Sequence, residues 1–188
     1  NIAVAESFDA NCKEIEECIK TARNLKIPYV RIHAGTSVTD GDMELTVKCL
    51  EKMLPIAEKA DVTILLETVG LFATTEKLRD VLNFFASDSL GALWDMYHTY
   101  FSANEAPEVT IKNLGAYVKH VHIKDSKREN DRLSYCLIGE GELPVSDMMN
   151  SLRAVNYDGF ISLEWDPKWL EEIDDIEVIF AHFVSFMH

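Results

Sequence analysis

The sequence predicts an α/β fold, a (β/α)8 barrel of alternating parallel strands and helices that lacks its earliest strands. Three observations predict it. Short aliphatic and β-branched runs, among them TILLE, GALWD and FISLE, have the unbroken apolar character of strands covered on both faces. Stretches with helical periodicity separate each run from the next. The runs also end in polar residues, Glu67, Asp95, His122 and Glu164, on one strand after another. A doubly wound sheet would instead gather its functional groups at one switch point beside a Gly-rich phosphate turn, and no such turn is present.

Taken in order, NIAVAES reads as the end of a strand entering a helix. That helix, Phe8 to Leu25, carries Ile15, Cys18, Ile19 and Ala22 as a buried stripe. PYVRIHAG is the next strand, ending near His33 and Gly35. A helix from about Asp42 to Ala60 buries Leu50, Met53, Leu54 and Ala57, with Pro55 as a point of kinking. TILLETVG follows as a strand. Leu78, Val81, Leu82 and Phe85 define a helix over Thr75 to Phe85, with Thr74 or Thr75 as its N-cap. After the strand GALWDM, Pro107 opens a short helix through Leu114, which delivers the chain into YVKHVHIKD. A polar excursion containing Gly139 and Gly141 precedes a helix from about Ser146 to Val155. FISLEW is the last strand, and a terminal helix from about Trp169 to His188 presents Leu170, Ile173, Ile176, Ile179, Phe180 and Phe183 to the barrel wall.

A chain of 188 residues, 47% of them hydrophobic, has a core large enough for a single domain spanning residues 1–188. A complete eight-stranded barrel takes about 250 residues. The expectation is therefore an N-terminally truncated barrel, a fragment or a natural short form. The net charge of −14, from 32 acidic and 18 basic residues, argues against a protein that grips a nucleic-acid backbone. The four cysteines form no CxxC pair, and the sequence shows no secretory or membrane-spanning segment. Free thiols in a reducing cytoplasm follow. Cys12 and Cys18, six apart on one helix, are not expected to form a bridge.

In a barrel, strand C-termini converge on the face where active sites of this architecture lie. Any single strand-end polar residue is explained by capping or pairing with a neighbour. Four at equivalent positions, each following a buried run where an unpaired carboxylate is costly, point instead to a shared cation. Glu67, Asp95, His122 and Glu164 make an O3N set suited to Mn2+, Mg2+, Co2+ or Zn2+.

The segments VRIHAG, LLET, WDMYH, HVHIKD, IGEGELP and YDGFISLEW, in that order, resemble the sugar phosphate isomerase/epimerase group of the xylose isomerase-like TIM barrel superfamily. The resemblance runs over nearly the whole chain and implies a TIM-barrel type fold with strands three to eight present. It implies that Glu67, Asp95, His122 and Glu164 bind one divalent metal ion, and that His98 and Arg128 face the substrate. The implied activity is isomerisation or epimerisation of a small sugar, sugar phosphate or polyol. A proton next to a carbonyl is removed to give an enediolate, with Glu67 and Glu164 taking and returning it. An open barrel edge would be covered by a longer chain or by a second copy in a homo-oligomer. Thr68 and Lys26 depart from the family pattern, Lys26 lying at a helix end where Gly is usual.

Three other functions share these residues. HIKDSK, with HAGTS at His33, is similar to endonuclease IV, but the metal-binding triplet of that phosphodiesterase here reads Asp131-Arg132-Leu133, and leucine cannot coordinate. A polyol dehydratase of the same superfamily removes a comparable proton, and a non-catalytic truncated barrel would bind sugar or metal without turnover. Among the remaining polar residues, Asp125 is expected to orient His122 or a helix terminus. His120 shares a strand face with His122. His33 reads as a satisfied strand-end histidine, and Glu140 and Glu142 belong to a glycine turn.

Overall fold

The computed structural model describes residues 2, 5–35, 40–129, 132–166 and 176–187, the side chains of residues 5, 40 and 129 excepted. Along the chain, α1 (Phe8–Leu25) leads to β1 (Tyr29–Ile32), α2 (Asp40–Ala60) to β2 (Thr63–Glu67), α3 (Thr75–Phe85) to β3 (Leu90–Asp95), and α4 (Pro107–Leu114) to β4 (Val118–Ile123). A hairpin of β5 (Asp125–Glu129) and β6 (Arg132–Cys136) follows. Then α5 (Val145–Ala154) leads to β7 (Ile161–Leu163), and α6 (Ile176–Met187) comes last.

Strands β1, β2, β3, β4 and β7 lie side by side in that order, all parallel, as one curled half-barrel sheet. Strand alternation divides their side chains between two faces. Ile64, Leu66, Ala92, Trp94, Val121 and Ile123 join the core made with the helices, where Ile19, Leu50, Leu54, Leu78, Leu82 and Met148 meet them. The intervening positions, among them Leu65, Leu93, His120 and His122, line a cavity of about 510 Å³ on the opposite face. A bulge between Ala92 and Leu93 resets β3 against β4 so that Asp95 stands level with His122.

Several expectations are corrected. The buried stripe of α1 runs through Cys12, Ile15, Ile19 and Ala22, while Cys18 is exposed. Cys12 meets Cys49 of α2 at 3.6 Å, so the flank of α1 that faces α2 is the one bearing Cys12 and not Cys18. Pro55 lies inside α2 without ending it. No side-chain cap comes from Thr74; instead Glu105 accepts hydrogen bonds from the Thr75 N–H (3.1 Å) and Thr75 Oγ1 (2.6 Å), placing a carboxylate at the positive end of α3. The polar excursion holds the β5–β6 hairpin, antiparallel with Asp125 opposite Cys136 and Glu129 opposite Arg132. Its strands are too polar to show an apolar strand pattern.

The strand end expected in NIAVAES falls mostly on residues 1, 3 and 4, outside the described residues, although the Ile2 N–H donates to His33 O at 3.1 Å. Leu170 and Ile173 of the expected terminal helix also lie outside them. In α6, Ile179 is buried, whereas Ile176 and Phe180 are exposed rather than turned to the wall. Among the described residues no helix is long and apolar enough to cross a membrane.

Candidate metal centre

Four of the five strands of the sheet each carry one polar group to the same end. Glu67 closes β2, Asp95 closes β3, His122 is the penultimate residue of β4, and Glu164 follows β7, where its N–H donates to Ile123 O at 2.9 Å. Their inward positions are those of Leu65, Leu93, His120 and Ser162 moved on by two residues, so the side chains share a face. One ligand atom from each of Glu67, Asp95, His122 and Glu164 lies within 4.8 Å of the others.

Three carboxylates crowded in this way need compensation. Glu67, 3% exposed, is held by the Arg31 guanidinium at 3.2 Å, by His122 Nδ1 at 3.1 Å and by a short contact to His33 Nε2. Burial alone raises its pKa, but the bonds to His122 and His33 and the charge of Arg31 outweigh burial and hold the carboxyl well below the usual range. Asp95, fully buried, accepts the His98 N–H at Oδ1 (3.1 Å) and the Lys124 ammonium at Oδ2 (2.6 Å). Lys124 also pairs with Glu164 Oε2. Burial works against the Lys124 charge, yet the attraction of Asp95 and Glu164 wins and raises its pKa. Burial likewise works against the Glu164 carboxylate, and the Lys124 hydrogen bond and charge pull its pKa down.

Backbone and neighbours fix the geometry. Thr68, the departure from the family pattern, ties the ends of β2 and β3 together: its Oγ1 accepts the Asp95 N–H (2.8 Å) and donates to Asp95 O (3.2 Å). A π-helical turn over His98–Ser102, with Trp94 Nε1 donating to Thr99 Oγ1 (3.0 Å), sets His98 beside the cluster, its Nε2 3.8 Å from Asp95 Oδ2. Burial lowers the pKa of the His98 ring in spite of Asp95. Arg128 stands on β5 with an exposed side chain, and its backbone N–H donates to Glu142 Oε1 (2.7 Å), so Glu142 fastens the hairpin.

Asp125 does not orient His122 or cap a helix. Its buried carboxylate accepts backbone N–H groups of Ser126 (2.7 Å), Gly139 (3.0 Å), Gly141 (3.1 Å) and Leu143 (3.1 Å), shaping the loop that leads from the hairpin to α5. His120 lies deeper than His122 and bonds Ser162 Oγ at 2.9 Å. His33 is satisfied, as expected, but its partner is Glu67 at the cluster itself. Of the Asp131-Arg132-Leu133 stretch, Asp131 lies outside the described residues, and Leu133 offers no ligand atom.

Sequence reasoning missed Lys124, Arg31 and the engagement of His33. The signal was alternation: residues 120, 122 and 124 share one parity, as do 29, 31 and 33, and each set points to the concave face.

The donor set fits a divalent cation. Bonds of about 2.0–2.2 Å place ligand atoms at most about 4.4 Å apart, close to the 4.8 Å within which these four lie. The Lys124 ammonium, bridging Asp95 and Glu164, shows that these oxygens already hold positive charge.

A family model described as xylose isomerase-like TIM barrel matches residues 5–180. The protein MJ1311 of Methanocaldococcus jannaschii is 27% identical over 162 residues, which are 80% of this chain and 55% of that protein. Inosose dehydratase of Clostridium perfringens is 27% identical over 106 residues, 48% of this chain and 35% of the enzyme. The chain thus spans little more than half the length of the first relative and about a third of the second. Among solved structures, a D-tagatose 3-epimerase-like protein superposes with a TM-score of 0.79 at 21% identity, covering 100% of this chain and 72% of its own. The IolI protein, crystallised with a zinc atom, does so with a TM-score of 0.81 at 18% identity, covering 96% and 70%. At these identities the structural likeness concerns the fold.

Proposed function

Since the chain belongs to the xylose isomerase-like TIM barrel family, we propose that it acts in divalent-metal-dependent isomerisation or epimerisation of a small sugar or sugar phosphate, with Glu67, Asp95, His122 and Glu164 as the metal ligands. The observation that carries this reading is the convergence of one donor atom from each of four strand ends. When bound, a divalent ion supplies Lewis-acid polarisation of a ketose carbonyl and offsets the charge that builds on its oxygen.

The chain's own part is proton handling. Glu164, 30% exposed, removes the proton from the carbon beside the carbonyl as that C–H electron pair moves toward the carbonyl, giving an enediolate. Glu67, kept ionised by His122, His33 and Arg31, is the second carboxylate of the exchange, and return of a proton to the other carbon or face gives the isomer or epimer. His98 and Arg128 hold substrate oxygens. The cavity supports a small polyhydroxy ligand, because Tyr29 and Trp165 line it with aromatic carbon suited to C–H groups while His120 and Arg31 bring polar side chains suited to hydroxyls.

The likeness to inosose dehydratase favours one second reading, in which the same proton removal ends in loss of water. The test strips the protein with a chelator, restores Mn2+, Mg2+, Co2+ or Zn2+ singly, and follows ketoses, ketose phosphates and inososes in D2O by NMR. Deuterium beside the carbonyl with a new isomer is the expected result. Deuterium with dehydration selects the second reading. A metal-loaded protein that exchanges no C–H proton on any of these compounds overturns both.

A further inference from the structure

We propose that Lys124 is an internal counter-cation that competes with a divalent metal ion for Asp95 and Glu164, so that a residue outside the ligand set governs metal affinity. The inference rests on the metal-centre reading above. Lys124 follows β4 directly, and its Nζ reaches two different strand ends at once, 2.6 Å from Asp95 Oδ2 and in contact with Glu164 Oε2. The side chain is 3% exposed and the ammonium lies 5.2 Å from the centroid of the Tyr97 ring. Burial of this kind is unusual for lysine, and the two carboxylates compensate it.

The oxygens that hold the ammonium belong to two of the four residues whose ligand atoms converge. A metal ion bonded to Asp95 and Glu164 would stand within a few ångströms of Nζ, and two cations in so enclosed a corner repel strongly. Metal entry therefore requires Lys124 to release both carboxylates, and the free energy of those two ion pairs is subtracted from the affinity. Arg31 and His33 do not play this part: both engage Glu67 from the β1 side, and Arg31 approaches Glu164 only at Oε1, 4.0 Å away, whereas Lys124 bridges Asp95 and Glu164.

The experiment is calorimetric titration of Mn2+ and Zn2+ into the chelator-treated full chain at one fixed pH, for wild type, Lys124→Met, Lys124→Gln and Lys124→Arg, with folding checked by circular dichroism. Removing the charge should tighten metal binding at least about tenfold, while Lys124→Arg stays near wild type. In chelator, Lys124→Met should melt roughly 5–10 °C below wild type, because it leaves two buried carboxylates uncompensated. Lys124→Gln, neutral and of similar reach, decides the matter if the Met variant does not fold. Neutral variants that bind metal no more tightly than a metal-binding wild type overturn the competition and leave the metal centre standing. If wild type and all variants bind neither ion, the metal centre falls and the inference with it.

Discussion

Gly141 lies so close to Asp125 that a Cβ at position 141 would stand 2.2 Å from Asp125 Oδ1, while its own N–H donates to Oδ2 at 3.1 Å. The loop after the hairpin is thus moulded on one buried carboxylate. Asp125→Asn replaces an acceptor-only group by an amide whose NH2 must face backbone donors, and the expected loss is about 3 kcal/mol. Gly141→Ala forces the loop off the carboxylate and should cost about 2 kcal/mol. Urea denaturation of both variants checks this; values within 0.5 kcal/mol of wild type, on the order of an ordinary surface substitution, would refute the role given to Asp125.

The acid–base assignment predicts separate effects for two neighbours of Asp95. On whichever ketose shows exchange in D2O, Glu164→Gln should lower kcat by about 10³-fold, because an amide cannot take the proton. His98→Ala, which touches Asp95 but is not among the converging ligand atoms, should raise KM several-fold with metal content unchanged. Steady-state kinetics with metal analysis of each variant distinguishes them. Full turnover by Glu164→Gln at normal metal content would end the assignment.

Much of this arrangement is legible in the sequence. Glu67, Asp95 and Glu164 each follow an apolar run long enough to fix strand, register and direction, so their meeting at one sheet end follows from alternation and parallel pairing. Lys124, Arg31 and His33 obey the same parity, but they are cations in runs whose apolar signal had already ended or was weak. The hairpin was hidden because Lys127, Arg128 and Arg132 give it the composition of a solvated loop. Its geometry comes from Asp125, which gathers donors as distant as Leu143, a relationship no local pattern encodes. The helix-end assignment of Glu105 to Thr75 was hidden for the same reason, the partners being 30 residues apart.

The ends of α1, α2 and α3 carry conformations that glycine would adopt without strain, at Lys26, Asp61 and Ala86. Lys26 ends α1 at φ 56°, and Ala86 ends α3 at φ 46°, with its N–H donating to Leu82 O at 2.9 Å. Ala86 is exposed, so replacing it removes no packing. Ala86→Gly should stabilise by roughly 0.5–1 kcal/mol, the relief of left-handed strain exceeding the added entropy of the unfolded chain. A melting temperature raised by about 1–3 °C is the expected reading, and a decrease would show that the cap is not strained.

Cysteine reactivity and alkaline stability follow from the contact between α1 and α2. Of the four cysteines only Cys18 is exposed, so a thiol reagent at pH 8 should modify one residue quickly in the native protein and all four in denaturant. Burial, reinforced by Cys12 at 3.6 Å, pushes the Cys49 thiol up to about 12. In the unfolded chain the same thiol ionises near 8.5, as an unperturbed cysteine does. The contribution of Cys49 is thus complete below about pH 8.5 and is lost as pH rises toward the folded value, because only the unfolded chain releases the proton in that interval. The slope reaches about 1.4 kcal/mol per pH unit. Cys49→Ala leaves a cavity and lowers stability at every pH, so the informative quantity is the slope: between pH 8.5 and 10.5, urea denaturation should show the variant losing stability less steeply than wild type. Parallel slopes would mean that Cys49 ionises in the native protein as readily as in the unfolded chain, and that the α1–α2 contact does not shield it.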